Sequence, residues 1–126
     1  MSAPLNFIES PLGLEPLVDF ALNGIDGAAG LYSLTSETNA AVRLFVVDAA
    51  VHLPDYSPTL SDEQTENVGL TSADDASVLV IVTPGTEQTT VNLLAPIVVN
   101  MVTGRARQFI LEDQDWPLKA PLQAAS

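Results

Sequence analysis

The chain has 126 residues and is 47% hydrophobic, enough for a single core without staples and too apolar for a disordered polymer. Asp and Glu number 16 against 4 Lys and Arg, a formal net charge of -12 that repels nucleic acid and anionic membranes, while the lack of Cys removes disulfides and thiol chemistry. No apolar run approaches the ~20 residues of a membrane span, and Met1-Ser2-Ala3-Pro4 has neither the basic nor the apolar region of a secretory signal, so a cytoplasmic protein is expected.

In chain order, Leu5 to Ile8 reads as a short first strand ended by the Ser10-Pro11 turn, and Leu17 to Leu22 as a second that stops at Asn23-Gly24. Gly24, Gly27 and Gly30 suggest a phosphate-cradling loop only superficially. No buried strand precedes them, no helix follows, and Asp26 would repel phosphate, so plain turns are expected. Leu31 to Thr35 and Val42 to Asp48 are strands; in the latter Val42, Leu44 and Val46 alternate with Arg43, Phe45 and Val47. The segment Ala49 to Tyr56 has no strand pattern and ends near Pro54, which makes it the best candidate for a contact loop.

Ser61 to Val68 is the one convincing helix. Ser61 is placed to cap it, Asp62 and Glu63 lie in the first turn, where the dipole favours negative charge, and Gly69 follows the end. Six carboxylates (Asp55, Asp62, Glu63, Glu66, Asp74, Asp75) fall between 55 and 75 with no Lys or Arg, a one-sign surface suited to a basic partner. Ser77 to Thr83 is a continuous apolar run expected to be the most buried strand, and Pro84-Gly85-Thr86-Glu87 turns the chain into the next.

The organising stretch is Thr89 to Leu111. Pro96 cannot donate to a ladder and marks a corner between Thr90–Leu94 and Ile97–Val102. A two-residue loop at Thr103-Gly104 pairs Met101 with Ala106, Val99 with Gln108 and Ile97 with Ile110. That register keeps Arg105 and Arg107 off the more apolar face, where they would lack a carboxylate partner. Asn92 and Asn100 are expected to satisfy backbone groups at the corner, and Trp116 to fold back on the sheet. From about residue 112 the chain loses periodicity, so a less ordered tail is expected on a single domain spanning 1–126.

His52 is the only histidine. Zinc needs three or four converging ligands, and a Ser-His-Asp triad needs a nucleophile on a strained turn, for which no G-x-S-x-G stretch exists. Adjacent carboxylates such as Asp62 and Glu63 need not converge on a cleft. No catalytic residue, metal or cofactor is therefore expected. Short strands at regular spacing with one short helix point to a mainly β fold, a small antiparallel β-barrel or strongly bent sheet.

The run TTVNLLAPIVVN followed by TGRARQFIL resembles the flagellar assembly factor FliW family, whose members carry T-x-N-L-x-A-P-I-x-[IV]-N and then a strand with a Gln. Thr90, Asn92, Leu93, Ala95, Pro96, Ile97, Asn100 and Gln108 fill that pattern, and the last seven are expected to be structural. Phe20, Gly24, Ile25 and Gly27 resemble the family's early glycine step, Phe45 to Asp48 its middle strand, and Pro54-Asp55-Tyr56 its D-Y step.

The resemblance implies a cytoplasmic protein of flagellated bacteria that binds flagellin and, when free of it, the basic translational regulator CsrA, by partner exchange without chemistry. It places flagellin contact after the middle strand, here Asp48, Ala49, Val51, His52 and Leu53; Ala49 stands where Pro is usual, and Val51, His52 and Leu53 where aromatics are. Tyr56 joins that apolar set, and Asp62, Glu63 and Glu66 are the candidates for CsrA. Two rivals need other features: a small-molecule carrier a hollow barrel, a hydrolase converging carboxylates or an activated His52.

Overall fold

A computed structural model describes residues 2–11, 13–39, 41–53, 56, 58, 60–72, 75–83, 89–111, 114, 116–117 and 120–121. The expected turn at Pro84 to Glu87, the residues Pro54 and Asp55 of the D-Y step, Asp74 and most of the segment beyond 111 lie outside those residues.

The strands are β1 (Ser2–Phe7), β2 (Asp19–Ile25), β3 (Ala28–Ser36), β4 (Arg43–Asp48), β5 (Ala76–Thr83), β6 (Thr90–Val91), β7 (Ile97–Asn100), β8 (Arg105–Gln108) and β9 (Ala120–Pro121). Two short helices, α1 (Ala49–His52) and α2 (Asp62–Asn67), join β4 to β5. Neighbouring strands run in the order β4-β3-β2-β1-β8-β7-β5, and β5 also pairs with β4, so these seven close into a barrel. Every pair in the ring is antiparallel except β1 and β8, which run parallel through Asn6↔Arg105 and Phe7↔Ala106. Closure pairs each strand of the ring on both sides over at least part of its length. β6 and β9 continue the sheet from the far end of β5.

Alternation along each strand sorts the apolar residues into separate layers. Leu5, Phe7, Phe20, Leu22, Leu34, Val46, Leu79, Ile97, Val99 and Ala106 form one cluster drawn from all seven barrel strands, and it fills the interior. Phe7 and Phe20 meet edge to face within it, centroids 5.3 Å apart. A filled interior is not the hollow that a small-molecule carrier needs. The alternate residues of β4 and β5 (Val47, Val80, Val82) join Val91, Leu93 and Ala120 in a second cluster, against which Leu53, Tyr56 and Trp116 pack. A third cluster, Val68, Val98 and Phe109, lies where the end of α2 meets β7 and β8. Both faces of β4, β5 and β7 are thus covered, which is why their sequences read as apolar runs.

Several expectations shift. The hairpin register moves by two residues: Ile97 faces Gln108, not Ile110, and Val99 faces Ala106, not Gln108. The cause is Asn100. Its Oδ1 accepts from the N–H groups of Val102 and Thr103 and its carbonyl from Gly104, ending the strand early in a four-residue turn over 101–104. Because the slip is even, Arg107 keeps the face assigned to it, although it now stands opposite Val98 and not Asn100. That guanidinium does have a carboxylate, Glu9 at 2.6 Å, a partner distant in sequence.

Asn92 likewise cuts the preceding strand to Thr90–Val91, its Oδ1 accepting from Leu94 and Ala95. The most buried strand is β7, buried at all four positions, and not Ser77 to Thr83, whose first two residues are half-exposed. The non-strand segment after β4 begins with the helix α1, and β1 starts at Ser2, leaving Ile8 exposed beyond its end.

Candidate functional site

α1 forms because Asp48, extended at the end of β4, caps it: the carboxylate accepts from the Ala50 N–H at 2.9 Å. The same four-residue turn buries Ala49 and pushes Val51 outward, where it is 55% exposed. His52 lies over the β2–β3 hairpin, its Nε2 donating to the Ala29 carbonyl at 2.8 Å. Leu53 and Tyr56 are half-buried on the second cluster. The Tyr56 hydroxyl donates to the Leu93 carbonyl, its ring meets Trp116 edge to face at 4.6 Å, and burial pushes the phenol above its ordinary value. Trp116 therefore does fold back.

The six residues assigned to flagellin thus gather around one short helix, with unequal roles. Asp48 and Ala49 build the turn, His52 and Tyr56 anchor it, and Val51 and Leu53 leave apolar surface uncovered. A groove of about 470 Å³ lies beside them, lined by Ala49, Leu53, Tyr56, Pro58 and Val78 among others.

α2 carries the second set. Ser61 Oγ accepts from the Gln64 N–H at 3.1 Å, and Gln64 Oε1 accepts from the Ser61 N–H at 2.8 Å, a reciprocal capping box. Asp62, Glu63 and Glu66 are exposed, and spacings of three and four bring them to one side of the helix. The far end is tied to the barrel twice. Asn100, 2% exposed, donates from Nδ2 to the carbonyls of Val68 and Gly69, and Arg107 donates to Asn67 Oδ1 while pairing with Glu9.

Sequence reasoning missed Arg107 and Glu9 as supports for this surface, since they stand 98 positions apart. The motif residues serve the corner: Asn92 and Asn100 turn the backbone, Gln108 Nε2 donates to the Ala95 carbonyl at 3.1 Å, and Leu93, Ala95, Pro96 and Ile97 are buried. Among the described residues no group of three or more His, Asp or Glu gathers as metal ligands, and no helix is long and apolar enough to cross a membrane.

Comparison with known proteins agrees with this architecture. The family model described as "FliW protein" matches residues 2–122. The chain is 37% identical over 118 residues to the flagellar assembly factor FliW of Pseudothermotoga lettingae, covering 91% of this chain and 75% of that one. It is 35% identical over 116 residues to its counterpart from Thermotoga neapolitana, covering 90% and 78%. A crystal structure of the flagellar assembly factor FliW superposes with a TM-score of 0.88 at 25% identity, over 97% of this chain and 86% of that one. With the motif, the corner it builds and the closed barrel all in agreement, the chain belongs to the FliW family of flagellar assembly factors.

Proposed function

We propose that this protein works in the cytoplasm by holding other proteins and transforming nothing: it binds flagellin and, when free of it, binds CsrA, so that flagellin level is read out as translation. Membership of a family of flagellar assembly factors sets the context. The observation that carries the partner assignment is the exposed acidic side of α2, Asp62, Glu63 and Glu66, on a chain of net charge -12. Such a surface attracts a basic RNA-binding protein and speeds its encounter. Flagellin is assigned to α1, where Val51 and Leu53 offer an apolar surface to the apolar side of an amphipathic helix.

Mixing the purified chain with flagellin and CsrA tests the reading. CsrA is expected to bind the free chain and to be released as flagellin is added. Leu53→Asp places a charge in the α1 surface and is expected to weaken flagellin capture at least ~tenfold while CsrA binding stays. Full retention of flagellin by that variant removes α1 from the assignment, and a chain that ignores both proteins ends the whole reading.

A further inference from the structure

We propose that the edge of β5 at Ala76–Val78 accepts an extended segment of a protein partner, flanked by Lys or Arg, as an added strand. The inference rests on the reading that this chain holds protein partners, and goes beyond it in naming a second surface and its mode of recognition.

β4 runs beside β5 only as far as Asp48↔Leu79, because Asp48 turns the chain into α1. β5 continues to Ala76, and over Ala76–Val78 the only strand beside it among the described residues is β7. The directions of its backbone groups follow from two contacts: the carbonyl of Asp75, just before the strand, accepts from Met101 N–H, and that of Ile81 accepts from Asn92 N–H. Odd positions therefore point toward β7 and β6. By alternation, Ala76 and Val78 direct their N–H and C=O groups to the side that β4 has left.

The groove beside α1 opens on that side, bounded by Leu53, Tyr56 and Pro58. A second groove of about 320 Å³, reaching Leu60, Thr65 and Leu70, meets it at Pro58 and Ala76. Exposed strand edges are commonly guarded by Lys, by Pro or by a bulge, yet Ala76, Ser77 and Val78 are small or apolar, half-exposed and in unbroken register with β7. An edge with apolar hollows beside it suits an extended peptide, whose main chain completes the ladder while alternate side chains enter the hollows.

Charge selects the occupant. No Lys or Arg occurs from residue 44 to residue 104, and carboxylates bracket the stretch, Asp75 before it and Asp48 opposite Leu79 just beyond it. A segment with cations at both ends of a short apolar core meets this arrangement, whereas an acidic one is repelled.

Amide hydrogen exchange on the unmodified chain tests the proposal, with a synthetic peptide of alternating Val and Thr flanked by Lys as the probe. The amides of Ala76 and Val78 are expected to slow, and a Glu-flanked version is expected to leave them unchanged. Equal slowing by both peptides, or slowing confined to α1, overturns it. Val78→Pro deletes an N–H that faces away from β7, so the ladder persists, and weakening of the Lys-flanked peptide by up to about tenfold is expected. A folded Val78→Pro variant that binds the peptide as the parent does also overturns it. The two readings fail separately: a chain that captures flagellin or CsrA while neither peptide alters these amides loses only strand addition, and one that protects them yet ignores both proteins loses only the partner assignment.

Discussion

Gly30 adopts φ 79, and a Cβ built there would approach Val51 Cγ1 at 2.9 Å and the His52 ring at 3.0 Å. The α1 surface therefore rests directly on a glycine of the β2–β3 hairpin. Gly27 has the same φ but nothing within 4 Å of its Cβ position, so it isolates the backbone cost. Gly27→Ala is expected to lose about 1 kcal/mol in urea unfolding, and Gly30→Ala about 2–3 kcal/mol, because α1 must also be displaced. Equal losses would mean that α1 yields freely. Tyr56 gives a residue-scale test in pH. Its phenol is held neutral by burial, so its folded value stands above the unfolded one, and the stability it adds is present below the ordinary tyrosine range near 10 and is lost as pH rises through the folded value. Tyr56→Phe is expected to cost about 1 kcal/mol at neutral pH through the lost bond to Leu93 and to remove this component from the alkaline decline.

α2 has only six residues, too short to persist alone, so its acidic side exists because the ends are held. The N-terminus has its capping box, and the C-terminus depends on Asn100, which satisfies two carbonyls after α2 and two amides of the β7–β8 turn at once. Asn100→Ala is expected to cost about 2–4 kcal/mol and to raise amide exchange in α2 more than in β2 or β3. A uniform rise would make Asn100 a general core residue. The contrast between the two ends also marks what the sequence could disclose. The Ser61 box is local, and the helix was legible from Ser61, Asp62, Glu63 and Gly69; the strands were legible from alternation and from apolar runs. The hairpin register was not, because Asn100 bonds forward into the turn and back to residues about thirty positions earlier, and no periodicity encodes that. The parallel pairing of β1 with β8 and the Arg107–Glu9 bridge are long-range in the same sense. The segment after β4 proposed for contact could be singled out, but which of its side chains are tied to the barrel and which are left exposed awaited the positions of Ala29 and Leu93.

At the scale of the whole molecule, a net charge of -12 produces a field that any cation feels, so weakened CsrA binding after charge removal would not by itself locate the contact. Placement separates the two effects. Replacing Asp62, Glu63 and Glu66 together with Lys halves the net charge, and so does replacing Glu15, Asp26 and Glu37, which are equally exposed but belong to the first half of the chain. Both triple variants lower the long-range attraction alike and are expected to slow association with CsrA by a similar factor at low salt. Both are therefore expected to flatten the dependence of affinity on salt, but only the α2 variant also loses short-range pairs, so only it is expected to show faster dissociation. If the two variants behave identically, the acidity acts as a general field and α2 is not where CsrA sits; if the α2 variant alone dissociates faster, the barrel holds a localised electrostatic site on a helix whose ends it fixes.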